Sequence, residues 1–391
     1  MTRGLSVVIL TALLVGLAGW GVTNGQGDAP AECSVTLSED QSIQAAIDDA
    51  RRGDVICLEA GTWQESIVIN KTLTLQGIGD ERTTIKATKD DQGDFEPVIG
   101  VDARSQEVTV IRLRNLELTG SKAETVGALA GGIFALSRPE TSVGSASLIF
   151  QEVRISDNII GMTVFGPNVS VRLAETVIED NRQRGIGVIG ASTIRTSNTV
   201  IADNGIAGLQ LSSGAEAFVQ ETTIRGHVGV PSSPSGLGVD VGNNSRLKLV
   251  NSRVIDNGQT DKMALFNAGI RVGFGLKYPG GLFSLNLPAE VNIINSQIDG
   301  NRQGVLLGGQ ADLRLEDATV RNNRGWGLAG MTKPCLKSDL QLKAEALNGA
   351  FRFAGRNVIK GNNAAGELSV EGNPGRHPFH YLPDGQVCLP R

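Results

Sequence analysis

Apolar and polar residues alternate in short runs along this chain, and Gly, Asn and Asp break the runs. Val171 and Leu173, Leu247 and Leu249, Val291 and Ile293, and Leu313 and Leu315 are such pairs, each ten and eight residues before an Asn. A period of two is the mark of a strand with one face turned inward. A further apolar residue stands three before the same position: Ile155, Ile178, Ile201, Ile224, Val254, Ile298, Val320 and Ile359. A Gly-led run follows it, as in GIGVIG (185–190), GLQLS (208–212), GIRVG (269–273) and GVLLGG (304–309). Each unit therefore predicts three short strands joined by turns.

The units recur at a fixed interval. Asn158, Asn181 and Asn204 are 23 residues apart, His227 follows after another 23, and Asn301 to Asn323 is 22. Asn257 and Asn362 end units lengthened by insertions. Three short strands cannot bury their inner faces alone, but coils stacked about 4.8 Å apart can. Stacking puts Asn158, Asn181, Asn204, Asn257, Asn301, Asn323 and Asn362 at one bend, where buried amides form a hydrogen-bonded structural ladder. His227 takes one rung, as a structural substitute or, in the sharper reading, as a catalytic histidine. Near the start, Ile43, Ala46, Ile47 and Ala50 share one face of a predicted amphipathic helix.

This grammar, together with SIQAAIDDARRGDVICLEAGTWQESIVINKTLTLQGIG (42–79), resembles the pectin-lyase-like superfamily over roughly residues 41–362. The resemblance implies an all-β fold: a right-handed parallel β-helix, a solenoid of three-strand coils of 22–23 residues, with an N-terminal capping helix. It implies no single activity, because the superfamily holds lyases, hydrolases, esterases and non-catalytic binders. Polygalacturonase-like signatures are not matched. GHVG (226–229) departs from Gly-His-Gly, and Asp48-Asp49 and Asp90-Asp91 lie outside the central coils. Pectate-lyase-like and pectin-methylesterase-like signatures are missing too, so no catalytic residue carries over.

Composition adds the setting. The 391 residues include 50 Gly and only 4% aromatics, with a net charge of −5 that offers no global field for nucleic acid. Arg3, an apolar stretch from Leu5 to Val22, and Thr23-Asn24-Gly25 read as a signal segment over 1–25, either cleaved or kept as an anchor. No other segment is long and apolar enough to cross a membrane. One domain is expected over 33–391, in a secreted, periplasmic or cell-surface protein. Four cysteines in an exported chain suggest two disulfides, and of three pairings Cys33–Cys57 with Cys335–Cys388 is favoured. A metal site on these cysteines is the weaker reading, since no Cys-x-x-Cys occurs.

Three constellations carry candidate chemistry. The residue nine before each Asn should face outward, which gives Arg112, Ile149, Arg172, Arg195, Phe218, Lys248, Asn292 and Arg314 down the stack. A basic row in an acidic protein suits a chain of carboxylated or sulfated sugars, each gripped by a guanidinium fork. The bland account is a solvated face neutralised by Glu216, Glu290, Asp312 and Glu316. The insertion 258–288 carries Phe266, Phe274, Lys277, Tyr278 and Phe283. It is expected either to wall a groove, with Tyr278 stacking on a sugar and Arg271 and Asp240 nearby, or to pack on the flank. Asp157, Asp180 and Asp203 stack before their Asn, as a solvated turn or as ligands of a calcium ion. KDDQGDFE (89–96) reads as a surface loop.

The expected function is binding of polysaccharide, acidic in kind, by Arg112, Arg172, Arg195, Lys248, Arg271, Tyr278 and Arg314. If catalysis occurs, lyase chemistry fits the row best, a basic residue abstracting the proton α to a uronate carboxylate, with glycoside hydrolysis the other class. The alternative is a structural or adhesive scaffold making protein contacts.

Overall fold

The computed structural model describes residues 32–89, 96–102, 108–122, 131–137, 145–230, 235–242, 244–259, 267–276, 283–284, 288–330, 350–362, 379–382 and 387–390. Within 33–391 they form one stack of coils with three long faces, named here sheets A, B and C in the order the chain visits them. One coil shows the plan. Val169–Ala174 lies in sheet A, Val177–Glu179 in sheet B and Arg184–Ile189 in sheet C, and Thr193–Ser197 then starts the next coil in sheet A. Among the described residues the sheets hold 12, 11 and 13 strands. Neighbours along each stack are parallel and in register, as in Val171 with Ile194 and Ile178 with Ile201.

The core is the axis of the solenoid. Inward residues stack on their own kind from coil to coil, with Ile155, Ile178, Ile201, Ile224 and Val254 all fully buried. Burying a large aliphatic side chain is worth about 2 kcal/mol, and the stack repeats that gain at each coil. The Gly at the head of the central sheet C strands, as at Gly161, Gly185, Gly208 and Gly238, is required by close approach. A Cβ on Gly185 would come within 2.7 Å of the Gly208 carbonyl oxygen and 2.9 Å of Asn204 Nδ2.

Both ends of the first coil are built as the pattern implies. Helix Ile43–Asp49 buries Ile43 and Ile47, and Ala46 and Ala50 pack against the core. Its N-terminus is held twice: Ser42 Oγ accepts from Ala45 N–H at 3.1 Å, and the Glu65 carboxylate accepts from Ile43 N–H at 2.8 Å and Gln44 N–H at 3.1 Å. Free N–H groups at a helix start favour an anionic acceptor. A disulfide joins Cys33 to Cys57, with Cα atoms 5.7 Å apart, and ties the entry of the chain to sheet A. The pairing of Cys335 with Cys388 lies outside the described residues, as do the segment 1–25 and loop positions 90–95.

The Asn column is a continuous buried ladder. Each side-chain oxygen accepts the backbone N–H of the preceding rung: Asn158 from Ser121, Asn181 from Asn158 and Asn204 from Asn181, at 3.0–3.1 Å. The run continues through Asn257, Asn301, Asn323 and Asn362, with amide-to-amide bonds of 2.9 Å between Asn257 and Asn301 and 2.8 Å between Asn323 and Asn362. Ser121 is a further rung that the Asn spacing does not show.

The residue before each rung has a second requirement. Asp157, Asp180, Asp203, Asp256 and Asn322 all have φ between 52° and 57°, and Gly226, Gly300 and Gly361 between 66° and 76°. Only Gly, Asn and Asp enter this left-handed region readily. The acidic column is thus a conformational column. Asp157 pairs with Lys122 at 2.6 Å and Asp203 with Arg225 at 3.0 Å, on opposite sides of the central coils.

Candidate functional site

Strand pairing places the basic row on the outer face of sheet A. Arg112, Ile149, Arg172, Arg195, Phe218, Lys248, Asn292 and Arg314 are successive register partners on eight neighbouring strands. The row extends to Arg352, the partner of Arg314. Counting nine back from Asn362 lands on Phe353 instead. Gly355, at φ 67°, supplies one extra residue in the turn and shifts the register.

The acidic neighbours neutralise only one end of this row. Arg246 stands between Glu216 and Glu290 in the adjacent outward column and takes both, at 2.8 and 3.7 Å. Glu290 also accepts from Asn292 Nδ2 at 2.8 Å, and Asp312 accepts the Ala350 N–H at 2.7 Å. Glu316 holds Arg314 at 2.7 Å. Arg172, Arg195 and Lys248 are exposed and have no carboxylate partner among the described residues. Arg112, half-buried, has none either.

Phe218 interrupts the charges. Arg195 and Lys248 both lie over its ring, 5.6 and 5.4 Å from the centroid. These cation–π contacts anchor the two flexible side chains in the plane of the sheet. Arg172 and Arg195 are direct register partners on strands about 4.8 Å apart. Like charges so placed oppose each other by roughly 0.2–1 kcal/mol. Hydroxyl and amide side chains border this stretch: Ser147, Ser170 and Thr193 on one side, Gln151, Ser197 and Gln220 on the other.

The remaining predicted residues fall elsewhere. Arg271 belongs to sheet C, where it is the register partner of Asp240, so it does not join the row. It binds that carboxylate through two bonds, Nε to Oδ1 at 2.9 Å and Nη2 to Oδ2 at 2.8 Å, and Gln210 adds a third donor at 3.1 Å. Both members are nearly buried, with side-chain exposures of 10% and 8%. Such a pair is architectural, because its donors and acceptors are spent on each other. Tyr278, Lys277 and Phe266 lie outside the described residues, as do the side chains of Phe274 and Phe283. The backbone of the insertion forms an antiparallel pair, Ala268–Leu276 with Phe283–Ser284, which extends from sheet C just before the chain enters sheet A at Pro288.

His227 is a buried rung of the ladder and does not lie on the outer face of sheet A. Its Nδ1 accepts the Asn204 N–H at 3.1 Å, as an Asn oxygen does elsewhere, and the His227 backbone N–H donates to Asn257 Oδ1 at 3.3 Å. Its Nε2 is buried with no hydrogen-bond partner. Burial lowers its pKa from 6.5 to about 4, opposed by the Asn204 and Ile201 carbonyls and assisted by the Arg225 charge. No group of His, Cys, Asp or Glu among the described residues is arranged to hold a metal ion, and this includes the Asp157–Asp180–Asp203 column.

Comparison with known proteins agrees with this geometry. Residues 142–277 match the family model for a right handed beta helix region. No curated protein matches the sequence. Among solved structures, the ORF18 protein of Geobacillus virus E2 superposes with a TM-score of 0.50 at 13% identity, covering 81% of this chain and 58% of its own length. This chain thus spans less than two thirds of that protein. The A-module of a mannuronan C-5 epimerase from Azotobacter vinelandii gives 0.49 at 16% identity, covering 82% and 91%. A pectate lyase gives 0.44 at 13% identity, covering 88% and 78%. Identities this low speak of fold alone. With its three parallel sheets, its in-register stacks and its amide ladder, this chain folds as a right-handed parallel β-helix.

Proposed function

We propose that this protein binds a linear acidic polysaccharide lengthwise on sheet A, outside the cytoplasm. One observation carries the reading: Arg172, Arg195 and Lys248 are held in register along the helix axis with no carboxylate partner among the described residues. A fold that leaves like charges adjacent gains when a polyanion lies between them. The axis suits a polymer, because coils stand about 4.8 Å apart and Arg172, Arg195 and Lys248 occupy three of four successive coils, with Phe218 on the remaining one. Guanidinium forks match carboxylate and sulfate oxygens. The bordering hydroxyls and amides serve sugar hydroxyls. The Cys33–Cys57 disulfide supports an oxidising, exported setting.

The proposal is one of binding. Hydrolysis of a glycosidic bond ordinarily takes two carboxylates flanking it. Of the carboxylates nearest the row, Glu216, Glu290 and Glu316 are engaged by Arg246 and Arg314, and Asp312 accepts the Ala350 N–H.

The test is an affinity series of the full chain against polygalacturonate, alginate and heparin, with amylose as neutral control. At least one polyanion should bind, and affinity should fall as salt rises. Replacing both arginines (R172Q with R195Q) should weaken binding tenfold or more, from the loss of two charge-assisted contacts of roughly 1.5–3 kcal/mol each. R314Q, whose charge is already paired, should change little. Equal binding of amylose, or an unaltered double variant, overturns the proposal.

A further inference from the structure

A cleft of about 390 Å³ opens at the corner between sheets A and B, on three consecutive coils, lined in part by Asn251, Arg253, Asn295, Gln297, Asp317 and Arg321. It lies around the corner from the basic row: Asn251 is three residues on from Lys248, roughly 10 Å along the chain. Its polar groups fall into two kinds. Some are fixed by one another. Asp299 accepts from Arg321 Nε at 2.8 Å, Gln297 Nε2 at 2.6 Å and Asn322 Nδ2 at 3.1 Å, which sets the Arg321 and Gln297 side chains. Asn295 Nδ2 donates to Asn251 Oδ1 at 2.7 Å, which sets both amides.

Others are open. Arg253 is exposed, and its guanidinium has no ion pair or hydrogen bond among the described residues; its backbone N–H donates to the Thr222 carbonyl at 2.9 Å. Asp317 accepts the Arg356 N–H on Oδ1 at 2.7 Å and keeps its second oxygen available. A free guanidinium fork calls for a planar oxyanion. The Asp317 carboxylate, two coils along the same cleft, accepts hydrogen bonds from hydroxyls. One ligand class satisfies both, a sugar ring carrying a carboxylate.

We propose that this cleft is a separate binding site for a single uronic acid unit, its carboxylate on Arg253 and its hydroxyls on Asp317 and the Asn251–Asn295 amides. The site is independent of the row on sheet A and does not rest on polymer binding there. Inorganic sulfate lacks the hydroxyl donors that Asp317 needs, and a neutral hexose leaves Arg253 without its partner.

The experiment is saturation-transfer NMR on the full chain with galacturonate, and with galactose and inorganic sulfate as competitors. Galacturonate should give transfer that neither competitor displaces at equal concentration. R253Q keeps a polar, hydrogen-bonding side chain at an exposed position, shortens it and removes the charge. It should weaken galacturonate at least tenfold. D317N should weaken it less and let sulfate compete. The R172Q/R195Q pair should leave monosaccharide binding unchanged while it reduces polymer binding, so the two sites fail separately. Equal transfer to galactose and galacturonate, no transfer at all, or an unaltered R253Q overturns the site.

Discussion

Replacing His227 by Asn restores the residue that occupies the neighbouring rungs, and its effect should depend on pH. His227 is fully buried, and burial holds its pKa at about 4 against 6.5 in the unfolded chain. Between those values the unfolded state binds the proton and the folded state does not. Stability from this group is therefore complete above pH 6.5 and is lost as pH falls through about 4. The separation of roughly 2.5 units corresponds to about 3 kcal/mol in all. The cause is local. A proton on Nδ1 can turn to the Asn204 carbonyl only by giving up the Asn204 N–H that this atom accepts at 3.1 Å. An Asn here lacks the titration. It also offers a donor toward the Ile201 carbonyl, as Asn204 does toward Ile178 at 3.1 Å, which should add about 1 kcal/mol at neutral pH. Urea unfolding of wild type and H227N at pH 7.5 and pH 4.5 reads both effects. The two stabilities should differ by about 1 kcal/mol at pH 7.5, and the gap should widen by two to three kcal/mol at pH 4.5. Carboxylates titrate in both proteins and cancel in the difference. A constant gap across the range would refute a buried neutral imidazole at this rung.

Three further outcomes follow from other positions. Asp180 has φ 54°, so D180A should lose about 1 kcal/mol in thermal or urea unfolding whereas D180G should lose much less. R271M strands the buried Asp240 carboxylate and should cost about 3–5 kcal/mol, while the paired change D240L/R271M should recover most of that loss. Reducing the Cys33–Cys57 bond, which closes a loop across a sequence separation of 24, should cost about 3 kcal/mol and expose the helix Ile43–Asp49 to proteolysis before the central coils.

The repeat itself was legible because a parallel stack writes its register into the sequence. Alternation assigns faces, and the constant interval between Asn residues aligns one coil on the next. Ile178 above Ile155 and Arg195 beside Arg172 can be read in this way from the repeat alone. Contacts between coils were not legible, because they join residues 30 to 44 apart through side-chain length and direction. The repeat could not show that Arg246 reaches both Glu216 and Glu290 and so leaves Lys248 without an acid. Nor could it show that Arg271 is closed onto Asp240 on another sheet. The Asp column had a readable signal that its charge obscured. Gly226, Gly300 and Gly361 stand in for Asp at the same position, which marks a left-handed backbone. Sequence by itself determined the coil, its inward residues and the line along which basic side chains project. The tertiary structure decided which of those charges stay unpaired, because neutralisation depends on a few ångströms between side chains that no periodicity encodes.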